Sequence, residues 1–359
     1  MTERKRSPYW DNMKALLIIL VVFGHFMYEL EGQSKWIGCL FDFIYMFHMP
    51  AFIFVSGYFS RSENSRSGRS IIKLLCAYFL FNTVFIVWGA YKGSTVNYAV
   101  PYYSYWYLLA LVAWRISVPY VAKMKAALPI SIIAALFVGF CGDVSNVLAM
   151  QRIVSFYPFF LAGYMLGRDR ADKFISAKYI KRFLPGLFAL AVGVILAYTG
   201  NKLFDYSEEQ LMMGLYGGVA WQAPAARLSL FVIAAVMIFG IMLIVPDVKI
   251  PVLTKAGKNT LAIFLIHRPL VLLLADPMAK LGSAQILAVS CILTVVLVVA
   301  LGTDLVSRIL NGVLDHGADV IFGCGEKDDH KLKNAACFAI YAAVALALVC
   351  TPFLGSIIG

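Results

Sequence analysis

Long apolar runs separated by short polar connections dominate the chain. A helix needs about 20 mostly apolar residues to cross the hydrocarbon core of a bilayer. The runs predict about ten or eleven transmembrane helices, near residues 12–31, 37–59, 71–91, 102–121, 127–142, 153–168, 183–200, 224–246, 258–276, 284–304 and 335–357. The predicted fold class is therefore an all-α integral membrane protein, a polytopic helix bundle. A polar stretch over 304–334, predicted to hold a surface helix, precedes the last run.

The basic residues fall mainly in alternate connections between the predicted spans. Of the 31 Lys and Arg residues, 24 lie in one alternating set and 7 in the other. Because cytoplasmic loops carry an excess of Lys and Arg, this distribution places the N-terminus in the cytoplasm. With 61% hydrophobic and only 14% charged residues, a soluble fold is excluded. The net charge of +11 then reflects topology, so we expect membrane lipid as a partner and no nucleic acid.

Ionisable residues inside the first run are the leading functional candidates. Lys14 and His25 are eleven residues apart, about three helical turns, and so share one face. Glu29 follows His25 at i+4 and is expected to accept the imidazole N–H. One interpretation is a general base above a cation that attracts an anionic ligand. The other is a buried histidine bonded to a neighbouring helix, with Lys14 reaching the head groups. Asp11 is expected to cap the helix.

The second run carries another deep histidine, His48, followed by Pro50, which is expected to break the helix and open space. The element Ser56-Gly57-Tyr58 and four basic residues follow it, and Gly57 permits close backbone approach. The basic residues are Arg61, Arg66, Arg69 and Lys73. They are explained either by positive-inside topology or by binding of phosphate groups.

Further polar residues occur in two later runs. Arg152 begins the run QRIVSFYPFFLAGYMLGR, and His267 and Arg268 are adjacent within LAIFLIHRPLV. An arginine at membrane depth needs a partner or a wet cavity. The seven cysteines form no C-x-x-C pair or Cys/His cluster, so no metal site is predicted.

Four of these segments together resemble the acyltransferase-3 family of membrane-bound acyltransferases, near its fucose 4-O-acetylase-like branch. They are the Lys14 to His25 spacing within YWDNMKALLIILVVFGH, then FHMPAFIFVSGYFSR, RIVSFYPFFLAGYMLG and LAIFLIHRPLV, in the family's order. The resemblance spans residues 7 to 303. It divides the chain into an acyltransferase-3-like domain (1–303), a cytoplasmic polar connection (304–334) and an additional C-terminal transmembrane helix (335–359).

The resemblance implies an acyltransferase that transfers groups other than amino-acyl groups. The donor would be cytoplasmic acyl-CoA, most simply acetyl-CoA. The acceptor would be a hydroxyl of a carbohydrate, either a surface polysaccharide or a lipid-linked glycan, at the bacterial cytoplasmic (inner) membrane.

The resemblance also assigns roles to residues. His25 maps onto the family's essential histidine, as a general base or as the carrier in an acyl-histidine relay, and Lys14 onto its basic partner. Donor binding falls to Arg66, Arg69, Ser56, Gly57 and Tyr58. His48, Arg152, His267 and Arg268 are assigned to the acceptor or to support of the site.

Two other function classes share some of these features. A transporter or exporter of a lipid-linked sugar would also carry buried histidines, arginines and proline-broken helices, but should show repeated halves, and none is found. A non-catalytic membrane scaffold would not need a deep histidine above a basic loop.

Overall fold

A computed structural model describes residues 7–30, 34–91, 97–141, 147–176, 179–199, 216 and 222–322. Within these ranges the regular elements are all helical. The first seven α-helices are α1 (Pro8–Glu29), α2 (Lys35–Tyr45), α3 (His48–Phe59), α4 (Glu63–Arg66), α5 (Gly68–Tyr91), α6 (Trp106–Val121) and α7 (Ala127–Phe137). The next eight are α8 (Met150–Met165), α9 (Arg168–Ser176), α10 (Tyr179–Thr199), α11 (Gln222–Ile244), α12 (Pro251–Lys258), α13 (Thr260–Met278), α14 (Ser283–Leu301) and α15 (Asp304–Phe322).

Six helical segments in the described ranges are long and apolar enough to cross a bilayer, which confirms the polytopic all-α class. They are α1, α2 together with α3, α5, α10, α11 and α14, and the bent pair α12 and α13 forms a seventh candidate. The predicted spans 102–121, 127–142 and 153–168 correspond to the shorter helices α6, α7 and α8, of 16, 11 and 16 residues. The predicted span 335–357 lies outside the described residues.

Helix α1 is the centre of the region that holds the candidate site. It packs against α2, α3, α12, α13 and α14. It begins at Pro8, where the missing N–H is tolerated, with Ser7 as its N-cap residue. The prediction that Asp11 is the cap is therefore wrong, because the helix starts one turn earlier. The Asp11 carboxylate instead pairs with Lys14, with 3.0 Å between Oδ1 and Nζ.

The predicted break at Pro50 is present. The proline ring clashes with the carbonyl four residues earlier, which here belongs to Met46. Helix α2 ends at Tyr45, and α3 begins at His48, with Pro50 in its first turn. The break therefore lies directly beside His48.

Helices α3 and α8 approach each other through two glycines. A Cβ atom at Gly57 would overlap the backbone of Phe160, and one at Gly163 would overlap the backbone of Phe54. Small residues allow membrane helices to pack this closely. The close backbone approach predicted for Gly57 is thus an approach of α8.

Several connections predicted to be cytoplasmic meet at one end of the bundle, here called the basic end. Lys73 on α5 forms an ion pair with Asp315 on α15, at 2.8 Å between Nζ and Oδ1. Arg115, near the end of α6, donates a hydrogen bond to the Ser70 hydroxyl at 3.1 Å. These contacts show that the 61–73, 115–125 and 304–322 segments lie together. That this end faces the cytoplasm stays a prediction from the charge distribution.

The described part of the polar connection 304–334 is the helix α15, as predicted. Its Leu305, Ile309 and Val313 side chains are exposed and recur at every fourth residue, so they form one apolar stripe. Asp315 pairs with Lys73 on α5. A helix with one apolar and one charged face is typical of a membrane surface.

Candidate active site

A cavity of about 370 Å³, here called the basic cavity, lies between α1, α3, α5, α6, α13 and α15. Three cationic side chains line it, those of Lys14, Lys73 and Arg115. Much of the remaining wall is apolar or aromatic, as at Phe52, Leu111 and Phe264. A space with this lining suits a ligand that combines anionic groups with an uncharged arm.

The three cations differ in how their charge is compensated. The Lys14 ammonium contacts Asp11, and that of Lys73 contacts Asp315. Arg115 donates from Nε to the Ser60 hydroxyl at 3.3 Å and from Nη1 to that of Ser70. Among the described residues the Arg115 guanidinium has hydroxyl partners and no carboxylate partner. It is therefore the cation of this cavity best placed to bind an anion.

Arg66 and Arg69 lie near the basic cavity but do not line it. The Arg66 Nη1 donates to the hydroxyl of Tyr164 at 2.6 Å. The Arg69 guanidinium pairs with Asp319 on α15, at 2.7 Å between Nη2 and Oδ1. The assignment of Arg66 and Arg69 to the donor stays a prediction. In this structure the arginine that lines the basic cavity is Arg115.

The Ser56-Gly57-Tyr58 element divides between two places. Ser56 lines the basic cavity, and its hydroxyl is hydrogen-bonded to that of Tyr107. Tyr58 instead stacks on Trp10, with ring centroids 4.2 Å apart. Gly57 lies at the crossing with α8. Of the three, Ser56 is therefore the one that reaches the cavity.

A second cavity of about 260 Å³, here called the histidine cavity, lies further along the same helices. Its wall contains four of the predicted site residues, His25, His48, Arg152 and Arg268. Lys14 and His25 thus face the protein interior from one side of α1, which confirms the common face predicted from their spacing. The fifth deep residue, His267, stacks on His25 with ring centroids 5.2 Å apart.

Hydrogen bonds define the protonation of two of the histidines. The His48 Nδ1 lies 2.8 Å from the carbonyl oxygen of Ile44, and the His267 Nδ1 lies 2.9 Å from that of Phe264. A carbonyl only accepts, so each Nδ1 carries the proton and each Nε2 of the neutral ring is an acceptor. In the described part of the chain, no set of three or more His, Cys, Asp or Glu side chains is arranged to hold a metal ion.

His25 differs from the other two histidines. His48 and His267 are buried, whereas His25 is partly accessible. Its Nδ1 is buried and has no hydrogen-bond partner in the structure. Because Nδ1 is buried, a proton from a hydroxyl bound in the cavity would go to the other ring nitrogen, Nε2.

The hydrogen bond predicted from His25 to Glu29 is wrong. The Glu29 carboxylate instead accepts from Arg268 on α13, at 2.7 Å between Oε1 and Nη2. A guanidinium on a neighbouring helix is a stronger partner for a carboxylate than a neutral imidazole one turn away. The Arg268 side chain is 1% exposed, and its guanidinium also lies over the Tyr103 ring at 4.3 Å. Glu29 therefore holds Arg268, which lines the same cavity as His25.

Both cavities are built on the same helices. Arg152 enters the histidine cavity from α8 and lies over the Trp106 ring, with 5.5 Å from Cζ to the centroid. Helices α1, α3, α6 and α13 each contribute residues to both cavities, and Phe264 on α13 lines both. The two spaces are therefore adjacent along the length of the bundle.

Sequence reasoning missed several residues of this region. Tyr107, Leu111 and Arg115 recur at every fourth position of α6 and line the basic cavity together. That spacing, ending in an arginine, was a usable signal. Tyr103, Phe264 and Asn311 had none, because aromatic residues in an apolar run are ordinary and Asn311 is distant in sequence.

Comparisons with known proteins identify the family of the chain. The family model described as "Acyltransferase domain" matches residues 7–303, as the four motifs predicted. The chain is 25% identical over 256 residues to the "Nodulation protein NolL" of Sinorhizobium fredii. The aligned region is 63% of this chain and 69% of that protein. It is 43% identical over 58 residues to the "Nodulation protein NolL" of Mesorhizobium japonicum, 15% of this chain and 16% of that one. No solved structure matches.

Proposed function

Because the chain belongs to this acyltransferase family, we propose that it is a membrane O-acetyltransferase that moves the acetyl group of acetyl-CoA to a hydroxyl of a carbohydrate. The observation that carries the proposal is the pair of adjacent cavities. One is lined by cations and the other by histidines and arginines, as a phosphate-bearing donor and a polar acceptor would require. The reaction is the transfer of a group other than an amino-acyl group.

In this proposal the donor enters the basic cavity from the cytoplasm. Arg115, Lys14 and Lys73 attract the phosphates of coenzyme A, and the apolar wall takes its arm. Guanidinium and ammonium groups form charge-assisted hydrogen bonds with phosphate oxygens. The thioester then points along α1 toward His25.

The acceptor occupies the histidine cavity, with its hydroxyl near the His25 imidazole. His25 removes the hydroxyl proton while the hydroxyl oxygen attacks the thioester carbonyl carbon. The new C–O bond forms and the C–S bond breaks, so the coenzyme A thiolate leaves and takes up the proton from the imidazolium. Arg268 and Arg152 supply positive charge beside the polar acceptor.

For the acceptor, we propose a hydroxyl of a carbohydrate, within a surface polysaccharide or a lipid-linked glycan. The motif resemblance to the fucose 4-O-acetylase-like branch supports this choice. Such an acceptor places the protein in the cell envelope, at the bacterial cytoplasmic membrane.

Mass spectrometry of envelope glycans tests the proposal. Cells that express the chain should carry glycans that are heavier by one O-acetyl group. Treatment with mild base should remove this acetyl group, because it is held by an ester bond. Cells without the gene should lack this mass increment. Identical glycan masses in both would overturn the function.

The donor site gives a second expected result. Arg115→Ala should raise the KM for acetyl-CoA about 10- to 150-fold, since a hydrogen bond to a charged group contributes about 1.5–3 kcal/mol. Arg66→Ala and Arg69→Ala should raise the same KM if the phosphates extend to the 61–73 loop. The acceptor KM should change little in all three variants.

Arg308→Ala is the matched control for these substitutions. Arg308 lies on α15 at the basic end and is exposed, and its one hydrogen bond within the described residues is to the backbone carbonyl of Asp304. Arg308→Ala removes one positive charge, as the other three substitutions do, and leaves the lining of the basic cavity unchanged. Unchanged donor KM in the Arg115, Arg66 and Arg69 variants would show that the phosphates bind elsewhere.

A further inference from the structure

Phe264 is the residue that both cavities have in common. On α13, Thr260 lines the basic cavity and Arg268 lines the histidine cavity, with Phe264 midway between them. Residues four apart lie on the same face of a helix, about 6 Å apart along its axis. The Phe264 side chain is therefore at the level where one cavity ends and the other begins.

The other walls show the same order. On α1, Lys14 belongs to the basic cavity and His25 to the histidine cavity. On α3, Ser56 lines the former and His48 the latter. The two cavities are thus consecutive spaces along the bundle, and they meet at Phe264.

The Phe264 ring is held in place by its neighbours. It is 3% exposed and lies edge-on to Tyr107, with ring centroids 5.3 Å apart. The Tyr105 hydroxyl donates to the carbonyl oxygen of Leu265 at 2.8 Å and so ties α13 to the start of α6. An aromatic ring packed in this way gives a rigid boundary, because close-packed interiors do not deform freely.

We propose that Phe264 is the specificity-determining residue for the acyl group, the partition that admits a short acyl chain and excludes a long one. The inference rests on the proposed function, since it assumes that the thioester lies in the basic cavity and is attacked from the histidine cavity. In this arrangement the thioester carbonyl lies beside the ring, where the acceptor hydroxyl reaches it from the histidine cavity, and the acetyl methyl group ends against the ring. A chain of eight carbons would have to displace it.

Binding of acyl-CoAs of increasing length to the purified full-length protein tests the partition. Isothermal titration calorimetry gives the Kd for octanoyl-CoA and the Kd for acetyl-CoA, and their ratio is compared between wild type, Phe264→Ala and Phe264→Leu. Wild type should bind acetyl-CoA more tightly than octanoyl-CoA. In Phe264→Ala the ratio should fall at least about tenfold, because several methylenes gain access to space that the ring had filled. Phe264→Leu, which keeps a buried apolar side chain, should be intermediate.

Phe231→Ala is the control for losing a buried phenylalanine. Phe231 packs against Phe159, with centroids 5.0 Å apart, and lines neither cavity. It should keep the wild-type ratio. An unchanged ratio in both Phe264 variants, or equal binding of both donors by wild type, would overturn the partition and leave the acyltransferase function standing. No binding of either acyl-CoA to wild type would overturn the donor assignment itself, and the partition with it.

Discussion

His25→Ala should lower the rate of acetyl transfer by about 10²- to 10⁴-fold, the range that a positioned general base contributes. Of the two histidines that line the histidine cavity, His25 is partly accessible and His48 is buried. Expression and membrane insertion should persist, since α1 keeps its apolar residues. The measurement is coenzyme A release by purified protein, together with acetylation of the envelope glycan in cells.

His316→Ala is the control, because His316 is exposed on α15 and lines neither cavity. It should transfer acetyl at the wild-type rate. Near wild-type acetylation by the His25 variant would refute the proposed chemistry. Incubation of wild type with radiolabelled acetyl-CoA and no acceptor separates the two roles of His25. A label retained on the protein would indicate a relay, and none would indicate a general base.

Glu29→Leu should cost about 3–5 kcal/mol of unfolding free energy, because it leaves the Arg268 guanidinium buried without its counter-charge. The Glu29 side chain is 22% exposed, so the loss should fall at the lower end of this range. The double variant Glu29→Leu with Arg268→Met should recover much of it, since an apolar pair replaces a broken ion pair. Thermal unfolding in detergent micelles gives the comparison.

The more exposed ion pair between Arg69 and Asp319 is the matched control for this cycle. Its side chains are 54% and 35% exposed, and water screens their attraction. Asp319→Leu should therefore change stability by only about 0–1 kcal/mol. Equal effects of Glu29→Leu and Asp319→Leu would show that the Arg268 pair is not a buried one.

Much of the fold could be predicted without coordinates. Apolar run length placed α1, α5, α11 and α14 close to their observed positions, because insertion in a bilayer depends on local composition. Pro50 marked the break between α2 and α3, because the clash of its ring is a local event. The eleven-residue spacing of Lys14 and His25 predicted their common face, because the repeat of 3.6 residues per turn is fixed within one helix.

The wrong cap at Asp11 is a local error in the start of α1, whereas the error in the site concerns contacts between helices. Glu29 was assigned to His25 because the two are one turn apart, and nothing in α1 indicates that Arg268, 239 residues later, lies beside it. The assignment of Arg66 and Arg69 to the donor, made from the family resemblance and their place in a basic loop, stays a prediction. The fold turns them toward Tyr164 and Asp319, and brings Arg115 to the cavity instead.

The sequence by itself determined that the chain is a bundle of membrane helices and which connections are basic, and its motifs indicated the family. These properties depend on composition and on spacing within single helices, where the geometry is known in advance. Only the tertiary structure decided which polar side chains share a cavity and which form pairs, and that Phe264 lies between the cavities. Those outcomes depend on which helices are neighbours and on how closely they pack, as at the crossing of Gly57 with α8. Helix neighbours are set by contacts between residues that are far apart in the chain.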